Sequence, residues 1–382
     1  MKASSRSLRR TDLFPPRIRA NLITIQMKDQ ETDFALTSLY LYLTGDCNLC
    51  CSHCWISPGF SQQQQNGIPL EALKRVISDS RSLGLTSVKL TGGEPFLYRE
   101  IGKLLKFLAA KEIAVSIETN GTLLNREIVE SLRSCNLRQI SVSLDASTGE
   151  IHDKIRGVKG SFLSALEGMR LLSEHELGFQ IIMTLQHRNC DEIPAMISLS
   201  EELGANSLKI NPLQPCGRGM DAFERSDNLE LDELIRLLKK VEKEYSLQHN
   251  LDIFFDLPVA FMPIETIKRT ANCQCGILNI LGILANGDFS ICGIGQTVEE
   301  LRMGNLSEDS IVEIWENNRT LNDLRESLPG KLKGICDRCI FKFQCLGACR
   351  ANAYALTGDL FAPYFLCQEL YESGRFPASR QI

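Results

Sequence analysis

Cys47, Cys51 and Cys54, in "GDCNLCCSHCW" at residues 45–55, follow the spacing C-x3-C-x2-C. Three thiolates on one short loop can hold three irons of a [4Fe–4S] cube and leave the fourth iron open. A cube capped by four cysteines only passes electrons, whereas an open corner can also bind a substrate group directly. A zinc site completed by His53 or Cys50 is the alternative, but structural zinc usually joins a C-x2-C pair to a distant second pair. Cys50 is expected as a small packed residue.

A second concentration of thiols lies near the C-terminus. Cys275 and Cys292 enclose "GILNILGILANGDFSI"; Cys336, Cys339, Cys345 and Cys349 then run C-x2-C-x5-C-x3-C, and Cys367 follows. Eight of the fifteen cysteines lie beyond residue 270. A chain of this size buries a core without disulfide staples, so metal or iron–sulfur ligation explains the thiols better. Cys135 and Cys190, on helical stretches, are expected in the core.

These residues must be positioned by a scaffold, and its pattern is regular. Strand-like runs at 39–44, 87–91, 114–119, 139–145, 179–186 and 207–213 alternate with helical patterns at 69–83, 98–110, 123–133, 161–175, 192–203 and 229–245. Six strand-then-helix units predict a parallel sheet with helices outside, of class α/β. Six cannot complete an eight-fold barrel, so an open, partial barrel is expected, with functional groups at the C-terminal strand ends. The first cysteine loop, "TGGEP" (91–95), "ETNGT" (118–122) and "SVSLDAS" (141–147) all sit at such ends. Beyond about residue 255 the alternation stops, which divides the chain into a lead-in (1–38), a barrel (39–255) and a cysteine-rich domain (256–382) held together by metal–ligand bonds.

The charge is close to balanced, with 42 Lys+Arg against 47 Asp+Glu and a net charge of -5. No global positive field draws the chain to nucleic acid or anionic membrane. Lys2, Arg6, Arg9, Arg10, Arg17 and Arg19 accompany a single acid, Asp12, in a basic arm expected to be solvated. Without a membrane-length apolar run or a secretory signal, a cytoplasmic location is expected.

The strand followed by "CNLCCSHC" resembles the signature of the radical S-adenosylmethionine (SAM) superfamily, with His53 at its hydrophobic position. The C-terminal cysteines resemble its SPASM (twitch-type) extension in every spacing. The resemblance implies a partial (β/α)6 TIM-like barrel, a SAM-binding [4Fe–4S] cluster on Cys47, Cys51 and Cys54, and reductive cleavage of SAM to a 5′-deoxyadenosyl radical that abstracts hydrogen. It implies that Gly92, Gly93 and Glu94 are the GGE motif facing the SAM ammonium group. Ser143, Asp145 and Arg156 would lie near SAM or substrate. It further implies two auxiliary [4Fe–4S] clusters, three in all. Cys275, Cys292 and Cys349 would hold the nearer one, with Cys273, Cys216 or an open iron as its fourth corner. Cys336, Cys339, Cys345 and Cys367 would hold the farther one.

SPASM proteins resembling this chain mostly mature ribosomally made peptides, so the leading expectation is abstraction of hydrogen from a precursor peptide. Excision of tyramine at a Tyr-Gly site is its finer form, suggested by "CWISPGF" and "LANGDFSICGIG". The lead-in is too short for a winged-helix precursor-binding module, so a separate small leader-binding protein is expected, together with a flavodoxin or ferredoxin as reductant. The rival expectations are a tetrapyrrole enzyme remodelling haem-type side chains, a sulfatase-type maturase, and a non-catalytic electron carrier. "CLGACR" resembles the C-x-G-G-C-R form of the tetrapyrrole group, with Ala348 replacing the second glycine. No residue is assigned as the catalytic acid or base.

Overall fold

The computed structural model describes residues 34–64, 66–245, 251–262, 267 and 275–382. The basic arm and Cys273 lie outside them. Strand β1 (Ser38–Tyr42) enters the first cysteine loop, which a short parallel ladder of β2 (Asp46–Cys47) and β3 (Gly59–Phe60) closes. Then follow β4 (Ser87–Thr91), β5 (Ala114–Thr119), β6 (Leu137–Ser143), β7 (Gln180–Leu185), β8 (Ser207–Pro212) and β9 (Asp252–Phe255). Strands β1, β4, β5, β6, β7, β8 and β9 lie side by side in that order, all parallel.

The intervening helices are α1 (Leu70–Asp79), α2 (Ile101–Ala110), α3 (Arg126–Arg133), α4 (Gly149–Arg156), α5 (Ser161–Glu174), α6 (Ile193–Glu202), α7 (Arg218–Glu224) and α8 (Leu231–Lys240). Their buried residues recur at helical spacing, as in Leu70, Leu73, Val76 and Ile77 of α1. The strands alternate instead. Leu39, Leu41, Val88, Leu90, Val115 and Ile117 are fully buried, while Tyr40, Lys89, Ser116 and Glu118 between them are half-buried. A parallel sheet covered on both faces would be apolar throughout; this alternation means one face packs under helices and the other lines a polar space. Glu118 on β5 feels the charge of Lys209 on β8, three strands away, which requires the sheet to curl round that space.

The sheet does not stop at the expected boundary. Strand β10 (Ile280–Ile283), from the cysteine-rich segment, adds in parallel to the free edge of β1, and β11 (Asp288–Ser290) and β12 (Arg302–Asn305) extend it antiparallel. Residues 35–382 therefore form one compact unit. Among the described residues, the helices that follow are α9 (Ile311–Asn317), α10 (Arg319–Ser327), α11 (Gly334–Asp337), α12 (Lys342–Cys345), α13 (Arg350–Thr357) and α14 (Phe365–Glu372). Phe365 of α14 meets Phe223 of α7 edge-on, with ring centroids 6.0 Å apart. Among the described residues, no helix is long and apolar enough to cross a membrane.

Tyr42 ties the two parts together. Its buried hydroxyl accepts a hydrogen bond from the Gly293 backbone N–H at 2.7 Å, next to Cys292. A Cβ on Gly293 would overlap the Tyr42 ring at 2.4 Å, so only glycine admits this approach. Tyr42→Phe strands a buried N–H and is expected to cost about 1–3 kcal/mol, measured by denaturant titration of the anaerobically purified protein.

Candidate metal centres

Cys47, Cys51 and Cys54 pack together with Leu49 and Val158. The loop that carries them is fixed from three sides. Gly59 N–H donates to Gly45 O at 2.8 Å and Ser61 N–H to Cys47 O at 2.9 Å, closing its base. Cys50 N–H donates to Arg156 O and Ser52 N–H to Ile155 O, both at 2.9 Å, so the loop caps the C-terminus of α4. Gly157 ends that helix at φ 73°, and a Cβ there would meet Cys50 O at 2.7 Å. On the third side, Gly93 leaves no room for a side chain, since its Cβ would fall 1.8 Å from Asp46 O.

The sulfurs receive N–H donors. Leu49 N–H approaches Cys47 Sγ at 3.4 Å, Asn120 Nδ2 approaches the same sulfur at 3.7 Å, and Arg156 Nη1 approaches Cys51 Sγ at 3.6 Å. Burial, then the charge of Glu94, pushes the Cys47 thiol up to about 12. Burial also raises Cys51, against the pull of Arg156. Metal must therefore displace protons from these thiols at neutral pH, and the donors suit the thiolates that result.

Cys50 is exposed rather than packed, because its N–H is drawn to the end of α4. Cys135 and Cys190 are half-buried, each donating to a carbonyl three residues earlier, rather than core residues.

Arg156 and Asp145 form a buried ion pair under this loop, Nε to Oδ2 2.7 Å, a charge contact without hydrogen-bond alignment. Burial alone would raise the Asp145 carboxyl, but Arg156, His53 and His152 hold it below its ordinary value. Thr184 N–H donates to Asp145 Oδ1 at 2.9 Å, and Asp145 N–H donates to His152 Nδ1 at 3.1 Å. His53 stacks its polar contacts on the same group, Nε2 3.9 Å from Asp145 Oδ2 and Nδ1 3.2 Å from Gln186 Nε2. Burial pushes both His53 and His152 down to about 4, so both are neutral at pH 7. Ser143, the last residue of β6, is half-buried beside this group.

Glu94 is fully buried and accepts from Thr119 Oγ1 at 2.7 Å, Asn120 N–H at 2.9 Å and Phe96 N–H at 3.1 Å. Burial pushes its carboxyl up to about 7, and only hydrogen bonds oppose that rise, with no basic side chain contributing. A carboxylate offers about four lone-pair sites, and a buried one without a cation fits a ligand ammonium group. Gly92, at φ 125°, and Gly93 let its strand end press on the cysteine loop. Asn120 and Thr122 grip the loop through Asn48, at 2.8 Å each.

The C-terminal thiols fall into two groups. Cys336, Cys339, Cys345 and Cys367 line a single cavity with Phe341 and Phe376. Tyr364 N–H approaches Cys336 Sγ and Phe341 N–H approaches Cys339 Sγ, each at 3.4 Å. Cys275, Cys292 and Cys349 form the other group. Burial raises Cys292, and after burial its largest influences are Cys349 and Cys275. Arg350, fully buried, feels thiols of both groups. Ala348 adopts φ 57°, a left-handed conformation that glycine takes freely, at the position where the motif that "CLGACR" resembles has its second glycine. Among the described residues, no three His, Cys, Asp or Glu side chains converge closely enough for a single metal ion.

The model of the radical SAM superfamily matches residues 41–199, and that of the SPASM iron–sulfur cluster-binding domain matches residues 273–340. The chain is 31% identical over 341 residues to the AdoMet-dependent heme synthase of Methanosarcina barkeri, covering 87% of this chain and 96% of that protein. It is 31% identical over 308 residues to the antilisterial bacteriocin subtilosin biosynthesis protein AlbA of Bacillus subtilis, covering 80% of this chain and 65% of that protein. The crystal structure of Streptococcus suis SuiB bound to precursor peptide SuiA shares the fold, with a TM-score of 0.70 at 19% identity over 92% of this chain and 79% of that one.

Two outcomes follow from the electrostatics under the first loop. Arg156→Met leaves Asp145 buried and unpaired and is expected to cost about 3–5 kcal/mol, read by urea denaturation. His152 has its folded pKa below the unfolded value of 6.5, so the unfolded chain binds the extra proton. Stability contributed by neutral His152 is present above pH 6.5 and is lost as pH falls toward 4. Denaturation midpoints of the apo chain between pH 7 and 5 are expected to fall, and to fall less in His152→Asn.

Proposed function

We propose that this chain, which belongs to the radical SAM superfamily and carries a SPASM iron–sulfur domain, cleaves SAM reductively and abstracts hydrogen from a ribosomally made precursor peptide. The observation that carries the SAM-dependent chemistry is the packed trio Cys47, Cys51 and Cys54, with N–H donors on the sulfurs of Cys47 and Cys51, beside a buried Glu94 that pairs with no cation among the described residues. Held by those three thiolates, a [4Fe–4S] cluster would supply the electron and the free iron corner that bind and cleave SAM.

The chain's own residues set the conditions. Glu94 receives the SAM ammonium group, which lowers its raised pKa and completes its hydrogen bonding. Gly92 and Gly93 hold that carboxylate against the cysteine loop. Asp145, Arg156 and His53 act beneath the loop, where Arg156 aligns Cys51, and Ser143 presents a hydroxyl at the next strand end. The far thiols, Cys336, Cys339, Cys345 and Cys367, and the near ones, Cys275, Cys292 and Cys349, hold two auxiliary clusters. A flavodoxin or ferredoxin supplies electrons in the cytoplasm.

A peptide is favoured by the charges in the curled sheet's polar space. Lys89 pairs with Glu118 at 2.8 Å and lies over the Tyr40 ring at 4.6 Å, and Lys209 pairs with Asp256 at 2.9 Å. Cations already neutralised suit a peptide backbone better than the propionates of a tetrapyrrole. Among the described strands, β9 is paired on one side only, which offers an edge to an extended peptide. AlbA takes part in bacteriocin biosynthesis, and SuiB was crystallised with its precursor peptide. The similarity to a heme synthase along nearly all of that protein's length favours a second reading, side-chain remodelling of a haem-type tetrapyrrole.

Reconstituted anaerobically, the protein is expected to carry about twelve irons per chain, as three cubes require, and to release 5′-deoxyadenosine from SAM under dithionite. Cys47→Ala, Cys51→Ala and Cys54→Ala are each expected to abolish that release, whereas Cys336→Ala chiefly impairs folding and turnover. Incubation with a short leader-bearing peptide encoded beside the protein should change that peptide's mass, including by loss of tyramine. Altered absorbance of an added iron porphyrin, with every peptide left unchanged, selects the tetrapyrrole reading.

A further inference from the structure

The group formed by Cys275, Cys292 and Cys349 offers three thiols to a cube with four corners. Cys216, in the loop between β8 and α7, is 3% exposed. Its thiol donates to Asn352 Oδ1 at 3.0 Å, and the backbone N–H of the same Asn352 approaches Cys349 Sγ at 3.4 Å. One residue thus touches both sulfurs. The Asn352 side-chain amide also binds Gln214, two residues before Cys216, so the loop is fastened to the start of α13 at two points.

We infer that Cys216 is the fourth protein ligand of the nearer auxiliary cluster, which leaves that cluster no open iron for substrate. This rests on the reading of Cys275, Cys292 and Cys349 as cluster ligands. The four thiols come from four separate segments: the loop after β8, the residue at 275, the end of the hairpin formed by β10 and β11, and the N-cap of α13. A buried thiol hydrogen-bonded to Asn352 would otherwise be an ordinary core residue, but an ordinary core cysteine does not share that asparagine with a cysteine of a ligand group. Ligation exchanges the Cys216 proton for iron, and Asn352 Oδ1 then loses the S–H donor while its N–H continues to serve Cys349.

The same loop reaches the first cysteine cluster. Arg218 Nε donates to Cys51 O at 2.9 Å and Arg218 N–H to Ser57 Oγ at 2.8 Å. Gly217, at φ 56°, lies so close to Trp55 that a Cβ would stand 2.5 Å from its carbonyl oxygen. Three consecutive residues, Cys216 to Arg218, therefore join a ligand of the nearer cluster to the backbone of the first, a short path between two redox centres. A capped cluster on that path serves electron transfer, not substrate coordination.

The test uses the full chain with Cys47, Cys51 and Cys54 replaced by Ala, so that only auxiliary clusters assemble. It should bind about eight irons, as two cubes require, and show no [3Fe–4S] resonance after brief ferricyanide oxidation. Adding Cys216→Ala is expected to produce about one [3Fe–4S] centre per chain by electron paramagnetic resonance, since a corner without a thiolate sheds its iron. Adding Cys273→Ala instead should leave the spectrum and iron content unchanged. The assignment is overturned if the Cys273→Ala chain yields the resonance, or if the starting chain already does. That comparison decides the matter even where Cys216→Ala fails to fold. Iron near zero in the starting chain would overturn the auxiliary-cluster reading itself, a different failure.

Discussion

The arrangement rests on the join between the first cysteine loop and the C-terminus of α4. A loop with two buried thiols and a third half-buried one must satisfy its own backbone and also neutralise the charge it acquires when the thiols ionise. Helix α4 answers both demands. Its last carbonyls accept from Cys50 and Ser52, and its last side chain, Arg156, extends to Cys51 Sγ. The guanidinium is held by Asp145, and Asp145 by Thr184 and the strand ends around it. A helix end, an ion pair and three strand termini thus fix one loop, and Glu94 faces the same loop from the opposite side.

Much of the scaffold was legible in the amino-acid sequence, for a physical reason. Strand and helix periodicities are local, so the six strand-then-helix units appear where the pattern places them. The cysteine spacings are local too, but the division of the C-terminal thiols into two groups is implied only by the resemblance to the SPASM extension, since Cys349 lies between Cys345 and Cys367 in the chain. Helix α4 was missed because "GEIHDKIR" follows a serine- and threonine-rich turn and has only a narrow apolar stripe, His152 and Ile155. The attachment of β10 to β1 was missed because pairing between residues 242 apart leaves no trace in either segment. That pairing makes the expected division at residue 255 invisible in the packing: β9 continues the barrel and β10 returns to its other edge.

The site was legible in its residue types but not in its contacts. Asp145 and Arg156 were expected near SAM or substrate as separate polar groups; they lie together and reach the cysteine loop, a relation across eleven residues set by where α4 ends. Asn120 and Thr122, at the end of β5, brace Asn48 within the loop. Nothing in "ETNGT" distinguishes bracing a loop from binding a ligand. Cys216 had no spacing partner in the chain, and only the packing of the β8 loop against α13 gives it neighbours.

Arg350 shows why the cysteine-rich part cannot be understood from its protein contacts alone. Its guanidinium is fully buried and donates to the carbonyls of Leu360, Ala362 and Gly347. The carboxylate it influences, Asp359, is already paired with Lys333 at 2.6 Å. Burial depresses its pKa, and the groups that oppose this are Cys336, Cys349, Cys345 and Cys275, drawn from both auxiliary groups. Neutral thiols give a buried cation little support, whereas thiolates on iron carry the negative charge it lacks. A buried, unpaired charge is strongly destabilising; clusters held by the proposed thiols would supply Arg350 with a counter-charge. Under the proposed ligand assignment, metal binding and folding would be coupled in this region.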